Sequence, residues 1–148
     1  VIIPVRNRIR TIRDAIRSVL SQKADFKFNL IIIDNHSTDG TTEAIDEFKD
    51  DERLIHLIPE RNDLGIGGCW NLGVHHPLCG KFAVQLDSDD VYAHDGTLQV
   101  MVNAFYEQNC AMVVGTYMMT DFDMNMIDPG TTHQRVRCSS CILHTNTP

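Results

Sequence analysis

Apolar and polar positions run along the chain in two alternating rhythms. Short apolar runs at residues 1–5, 28–33, 53–58, 81–86 and 110–119, rich in β-branched residues and closed by polar or proline punctuation, predict five strands. Between them the spacing changes to that of a helix. Ile12, Ala15, Ile16, Val19 and Leu20 fall at i, i+3, i+4, i+7 and i+8, and Leu98, Met101, Val102, Phe105 and Tyr106 repeat the pattern. A further helix is predicted behind Ser37 and Thr38, which can cap it, with Ala44, Ile45 and Phe48 on its buried side. The glycine-rich stretch at 62–73 leads through a short helix, ended near His75-His76, into the fourth strand.

Strand and helix in alternation predict an α/β domain with a mostly parallel sheet and helices on both faces. Ligands in such sheets bind beyond the carboxyl ends of the strands. The polar punctuation at Arg6-Asn7, at Asp34-Asn35-His36 and at Asp87 to Asp90 should therefore converge on one edge. The tail at 131–148 is polar, carries Cys and His, lacks periodicity, and is assigned to no element.

Composition narrows the function. With 148 residues, 43% hydrophobic and 22% charged, the chain can build one globular core. A net charge of -7 argues against a nucleic-acid surface, which needs clustered Lys and Arg. No apolar run reaches the roughly 20 residues that span a bilayer, and no signal-peptide pattern is visible. Five cysteines, an odd number, fit a reduced chain better than a disulfide scaffold. The expectation is a cytoplasmic protein, or one working at the inner face of a membrane. Because Val1 already reads as strand, and no acceptor-side segment is evident, the domain spanning 1–148 is expected to be incomplete at both ends.

Candidate chemistry centres on LDSDDVY. Asp87, Asp89 and Asp90 repel one another unless something positive sits against them, and no Lys or Arg is their sequence neighbour. Asp87-Ser88-Asp89 is a DxD pattern. Where the strand turns out of the sheet, one carboxylate can bind Mg²⁺ or Mn²⁺ while the other accepts hydrogen bonds from a sugar hydroxyl, with substrate phosphates completing the metal shell. The competing reading is a solvated turn. Asp34, at the end of the second strand, can only accept hydrogen bonds when ionised, which suits an imide N–H such as that of uracil. It can equally cap the following helix together with Ser37, Thr38 and Asp39, and the two roles are compatible.

VIIPVRNR, IIIDNHSTDGT, NDLGIGGCWNLG and LDSDDVY, in this order and at these intervals, resemble the nucleotide-sugar-binding half of family 2 glycosyltransferases of GT-A fold. The resemblance runs from residue 1 to about residue 115, weakens to residue 129 and is not visible after 131. It implies sugar transfer from a nucleotide diphosphate donor, with UDP expected, to a glycan, lipid-linked or protein acceptor, and a Mn²⁺ or Mg²⁺ cofactor. It further implies that Pro4, Val5 and Arg6 line the nucleoside and that Asp34 reads the base. Asn62, Gly65 and Asn71 would form a loop beside the donor. Asp87, with Ser88 beside it, would lie nearer the ribose or sugar and Asp89 nearer the metal, both carboxylates belonging to the metal set.

The chain departs from the family pattern in three ways. Asp34-Asn35-His36 stands where the family often has Asp-Asp-Gly. Trp70 stands where an Arg is common, which leaves less positive charge for the diphosphate. A general base is not matched by Asp121, Asp123 or Asp128 and is expected outside the chain. Other readings fit less well. Gly65-Ile66-Gly67 would need glycine at Trp70 to make a dinucleotide fingerprint. An aspartyl phosphatase would carry its DxD after the first strand, where Pro4-Val5-Arg6 stands. Cys138 and Cys141 with His133 and His144 offer one CxxC without the second pair that zinc requires. A non-catalytic nucleotide-sugar-binding module of a larger chain is the alternative of another class, distinguished by absence of donor turnover.

Overall fold

The computed structural model describes residues 1–122 and 125–128. The chain divides into two compact units, one formed by residues 1–99 and a second beginning at Val100. The first holds strands β1 (Ile2–Val5), β2 (Leu30–Asp34) and β3 (Leu54–Leu57), and helices α1 (Ile12–Leu20), α2 (Thr41–Asp46) and α3 (Gly65–Val74). Helix α4 (Thr97–Gln108) starts in it, and the second unit carries the short strands β4 (Met119–Thr120) and β5 (Met126–Asp128), paired antiparallel.

β1, β2 and β3 form a parallel sheet with β2 in the middle. All five residues of β2, LIIID, are buried, as expected of a strand covered on both faces. The pleat divides its apolar residues between two cores. Ile3, Val5, Leu30 and Ile32 face α1 and α2, meeting Ile12, Ala15, Ile16, Val19, Ala44 and Ile45. Ile2, Ile31 and Ile33 face the other way, onto Cys69 of α3. Each isoleucine buried in this way contributes about 1.5–3 kcal/mol. Gly73 is what lets α3 approach. A Cβ there would stand 2.6 Å from Ile2 Cγ2 and 3.0 Å from Ile33 Cδ1.

Two predicted strands differ. Residues 81–86 join the sheet through one parallel bridge, Ile2 to Gln85, with backbone bonds from Ile2 N–H to Val84 O (2.9 Å) and from Leu86 N–H to Ile2 O (3.2 Å). Among the described residues β1 is the sole strand paired with this segment. Burial alternates along it, with Leu86 buried and Ala83 and Gln85 exposed, as in a half-covered edge. The predicted strand at 110–119 is absent apart from Met119: its apolar side chains, including Met112, Val114, Tyr117 and Met118, are exposed, and residues 110–118 pair with no strand among the described residues. The predicted caps also differ. Gly40, in the left-handed conformation, precedes α2, and Asp39 Oδ1 takes the Thr41 N–H at 3.0 Å, while Ser37 and Thr38 turn to Asn7.

Including the bridged segment, the strand order reads β3, β2, β1, 84–86. The chain runs outward from β1 to β3 and then returns to β1's other side. The carboxyl ends of β1 and segment 84–86 therefore flank a topological switch point, where an open α/β sheet leaves a crevice.

Candidate functional site

A cleft of ≈ 470 Å³ occupies that crevice, lined by Pro4, Val5, Arg6, Arg8, Asn35, Gly65, Ile66, Cys69, Asp87, Ser88 and Asp89. This volume is in the range of small-ligand sites. Its first wall is the pair of loops after β1 and β2, zipped together by side chains. Asn7, at φ 55°, donates its N–H to Ser37 Oγ (3.0 Å) and accepts from Thr38 N–H through Oδ1 (2.8 Å). Arg8 N–H donates to Thr41 Oγ1 (2.8 Å) and Ile9 N–H to Asp39 Oδ2 (3.1 Å). Asn7 and the backbone amides of Arg8 and Ile9 are thus partnered by Ser37, Thr38, Asp39 and Thr41.

The opposite wall is the aspartate turn, closed by Asp90 N–H donating to Asp87 O at 3.1 Å. Thr11, just ahead of α1, donates its hydroxyl to Ser88 O at 2.9 Å and ties the turn to the helix. Ser88 is buried, whereas Asp87 and Asp89 are exposed. Partial burial and the charges of Asp87 and Asp89 push the Asp90 carboxyl up, the signature of crowded negative charge. Counter-charge does reach the cluster from afar: Arg8 Nε lies 3.6 Å from Asp89 Oδ2. The absence of basic sequence neighbours is therefore made good by the fold. Among the described residues no three His, Cys, Asp or Glu side chains gather into a ready metal cage.

The cleft brings together Pro4, Val5, Arg6, Gly65, Asp87, Ser88 and Asp89 of the expected site. Asn62 and Asn71 are exposed and do not line it. Asp34 does not line it either. Its side chain is 0% exposed, accepting from Ser37 N–H (2.9 Å) and Thr42 Oγ1 (2.5 Å), with His56 Nε2 at 3.8 Å from Oδ2. Burial alone would raise this carboxyl, but the His56 imidazole and the Ser37 and Thr42 donors outweigh it and hold Asp34 well below the usual carboxylate range. His56 in turn stands 3.1 Å from Asp46 Oδ1 through Nδ1. The Asp34 contact, against the opposing effect of burial, and then Asp46 raise its pKa.

The residue at the cleft is the next one. Asn35 is buried, and its Oδ1 has no hydrogen-bond partner among the described residues. His36 follows at φ 59°, a conformation that the glycine common in the resembling family would adopt without strain. Asn35, Arg8 and Cys69 were not singled out from sequence. The one available signal was the position of Asn35 and Arg8 just beyond strand ends. Burial pushes the Cys69 thiol up, so it is a poor nucleophile. Asp121 binds Asn125 N–H and Nδ2 within the turn between β4 and β5. Asp123 and the tail with Cys138 and Cys141 lie outside the described residues.

The description Glycosyl transferase family 2 matches residues 1–140. An uncharacterized glycosyltransferase of Rickettsia felis is 38% identical over 109 residues, 74% of this chain and 17% of that protein. Another, from Haemophilus influenzae, is 29% identical over 136 residues, 92% of this chain and 53% of its own length. The chain thus spans about half or less of these relatives. Among solved structures, S. aureus TarS residues 1–349 in complex with UDP-GlcNAc is similar with a TM-score of 0.63 and 26% identity, over 73% of this chain and 31% of that one. The parallel sheet flanked by helices is the GT-A fold of such enzymes, and the chain belongs to glycosyl transferase family 2.

Proposed function

We propose that this chain is the donor-binding part of a glycosyltransferase that moves a sugar from a nucleotide diphosphate, UDP in the first instance, to an acceptor hydroxyl. The observation that carries the reading is the convergence of two exposed carboxylates, two arginines and a buried amide with a free oxygen on one cleft at the switch point. The TarS structures bound to UDP-GlcNAc and to UDP support a uridine donor. Asn35 is better placed than Asp34 to meet the base, since its Oδ1 can accept an imide N–H. Pro4, Val5 and Arg6, which line the cleft, would take the nucleoside, and Gly65, at the start of α3, would lie beside the donor.

Asp87 and Asp89 fit a hard divalent cation that takes one or two carboxylates and completes its shell with water and donor phosphates, not one caged by protein alone. When bound, Mn²⁺ or Mg²⁺ would stabilise the charge growing on the leaving diphosphate. The acceptor oxygen forms its bond to the anomeric carbon as the bond to the diphosphate breaks on the opposite side, and the configuration inverts. The leaving electron pair goes to the diphosphate and the hydroxyl proton to a base from the acceptor side.

A non-catalytic nucleotide-sugar module is the second reading, favoured by the lining of the cleft, whose two carboxylates, Asp87 and Asp89, are both engaged by the donor and its cation in this scheme. Thermal melting with UDP, with and without Mn²⁺, tests the binding reading. A rise in Tm is expected only with the cation, by about 2.7 kcal/mol of stabilisation at a hundredfold excess over Kd. An equal rise in excess chelator would refute the metal-bridged site. Slow donor hydrolysis, measured as UDP release, separates the enzyme from the module.

A further inference from the structure

Arg8 has a divided anchorage. Its backbone N–H is pinned to Thr41 Oγ1 at 2.8 Å, and Thr41 is fully buried, so the base of the side chain is fixed to the framework of the site. Its guanidinium is held by two long contacts. The side chain is 48% exposed, Nη1 makes a 3.3 Å bond to Asn7 O, and Nε stands 3.6 Å from Asp89 Oδ2, a charge contact longer than a hydrogen bond. Asp89 is itself 55% exposed, so the pair sits in screened surroundings where such contacts are weak. Both residues line the cleft.

We propose that Arg8 is a counter-cation built into the donor site, which competes with the divalent cation for Asp89 and, once displaced, turns to the donor's diphosphate. The proposal rests on the reading of Asp89 as a metal-binding residue and adds a residue to it. A divalent cation on Asp89 neutralises the carboxylate and repels the guanidinium that stands 3.6 Å from Oδ2, so loading the residue with metal favours release of Arg8. A planar fork of N–H donors tethered at the cleft rim then meets the phosphate oxygens of the donor, which match it two bonds at a time, while Asp87 is engaged by the metal and the sugar nucleotide. This places beside the diphosphate the positive charge that Trp70 does not supply. It also makes the site selective for metal and nucleotide arriving together, since either alone leaves one partner of Arg8 unmatched.

The test uses the full chain, with Mn²⁺ alone and then UDP in saturating Mn²⁺ as probes, read by calorimetry on wild type, Arg8→Ala, Asp89→Ala and the double variant. Removing the exposed guanidinium should tighten Mn²⁺ alone by about two- to fivefold, the range of an exposed ion pair. The same change should weaken UDP by about tenfold or more, as expected for loss of a charge-assisted contact. In the Asp89→Ala background, where the weaker Mn²⁺ binding that is left rests on Asp87, the gain should vanish. If it persists undiminished there, bulk charge and not the pair is responsible, and the proposal fails. It also fails if Arg8→Ala leaves both affinities unchanged while Asp89→Ala abolishes Mn²⁺ binding, which leaves the donor-site reading intact. If wild type and Asp89→Ala bind Mn²⁺ and UDP alike, the metal reading falls and Arg8's role with it.

Discussion

Replacing Asp34 with asparagine separates the two roles open to this carboxylate. Asparagine has the same shape, so packing around a side chain that is 0% exposed is kept. Its single oxygen can keep the Ser37 N–H, which has no other acceptor at hand. Its amide nitrogen then faces Thr42, whose hydroxyl can rotate to accept, and His56, which loses the Asp34 carboxylate and keeps that of Asp46. Two charge-assisted bonds thus become neutral ones. Hydrogen bonds to charged groups contribute about 1.5–3 kcal/mol and neutral ones about 1, so with the weakened His56 contact the loss comes to about 2–4 kcal/mol. That is a large share of the ~5–15 kcal/mol that holds a domain together. Urea unfolding at pH 7 should show a lower midpoint with an unchanged slope. Calorimetry with UDP and Mn²⁺, well below the melting range, should show affinity within about twofold of wild type, given that binding needs only the folded state. Because the folded Asp34 carboxyl is depressed, its contribution is present above the unfolded value near 3.9 and is lost as pH falls through the folded one. The part of the gap set by the Asp34 carboxylate itself should therefore hold from pH 7 to pH 5, while the part carried by its contact with His56 should grow as that imidazole becomes protonated. A stability loss under about 1 kcal/mol together with UDP binding weakened tenfold would refute the reasoning and return the base-reading role to Asp34.

The raised pKa of His56 gives the opposite sign. Its contribution is complete below the unfolded value of about 6.5 and is lost as pH rises through the elevated folded one, so wild-type stability should decline on the alkaline side while His56→Gln shows a flatter profile in pH-resolved urea titrations. Gly73→Ala should destabilise by about 1–2 kcal/mol in the same assay, since overpacking against Ile2 and Ile33 costs about 1–3 and better helix propensity returns up to about 1. Asp89→Ala should lose Mn²⁺ and diphosphate binding together, whereas Asp87→Ala, whose carboxylate is contacted by Gln85 Nε2 at 3.4 Å, should keep more of the metal and weaken the sugar nucleotide. Equal loss of metal in both variants would make the pair a joint ligand set.

Much of the site was legible because strand ends carry their own punctuation. Asp87 to Asp90 and Arg6-Asn7 had to reach one edge once the strands were parallel, and the helical spacing of Ile12, Ala15, Ile16 and Val19 placed α1 on the sheet. What was not legible depends on partners distant in sequence. Nothing local reveals that Asp34 is enclosed by Thr42 and His56, leaving Asn35 to face the cleft. Nor does it reveal that Ser37 and Thr38 serve Asn7 and not α2, or that Arg8 meets Asp89. The apolar runs at 81–86 and 110–119 look like strands because β-branched and aromatic residues favour pleated surfaces, but a strand also needs a neighbour to bond. Segment 84–86 has one, and 110–118 has none among the described residues.

The two walls of the cleft differ in how firmly they are held. The loops after β1 and β2 grow from two paired strands, of which β2 is fully buried, and are cross-linked by four side-chain bonds to backbone amides. The aspartate turn hangs from two backbone bonds to Ile2, one hydroxyl bond from Thr11 and the exposed Arg8–Asp89 contact, with Tyr92 N–H just beyond it donating to Ser18 Oγ at 3.2 Å. Segments held so lightly open by local fluctuation at lower free energy than the core. Amide hydrogens of Ile2 and Leu86 should exchange with solvent well before those of Ile31 and Ile32, and a ligand that spans both walls should slow them selectively. Equilibrium affinity then equals the contact energy less the cost of quieting this segment. A substitution that stiffens 84–90 without touching a lining side chain would tighten binding with no new contact.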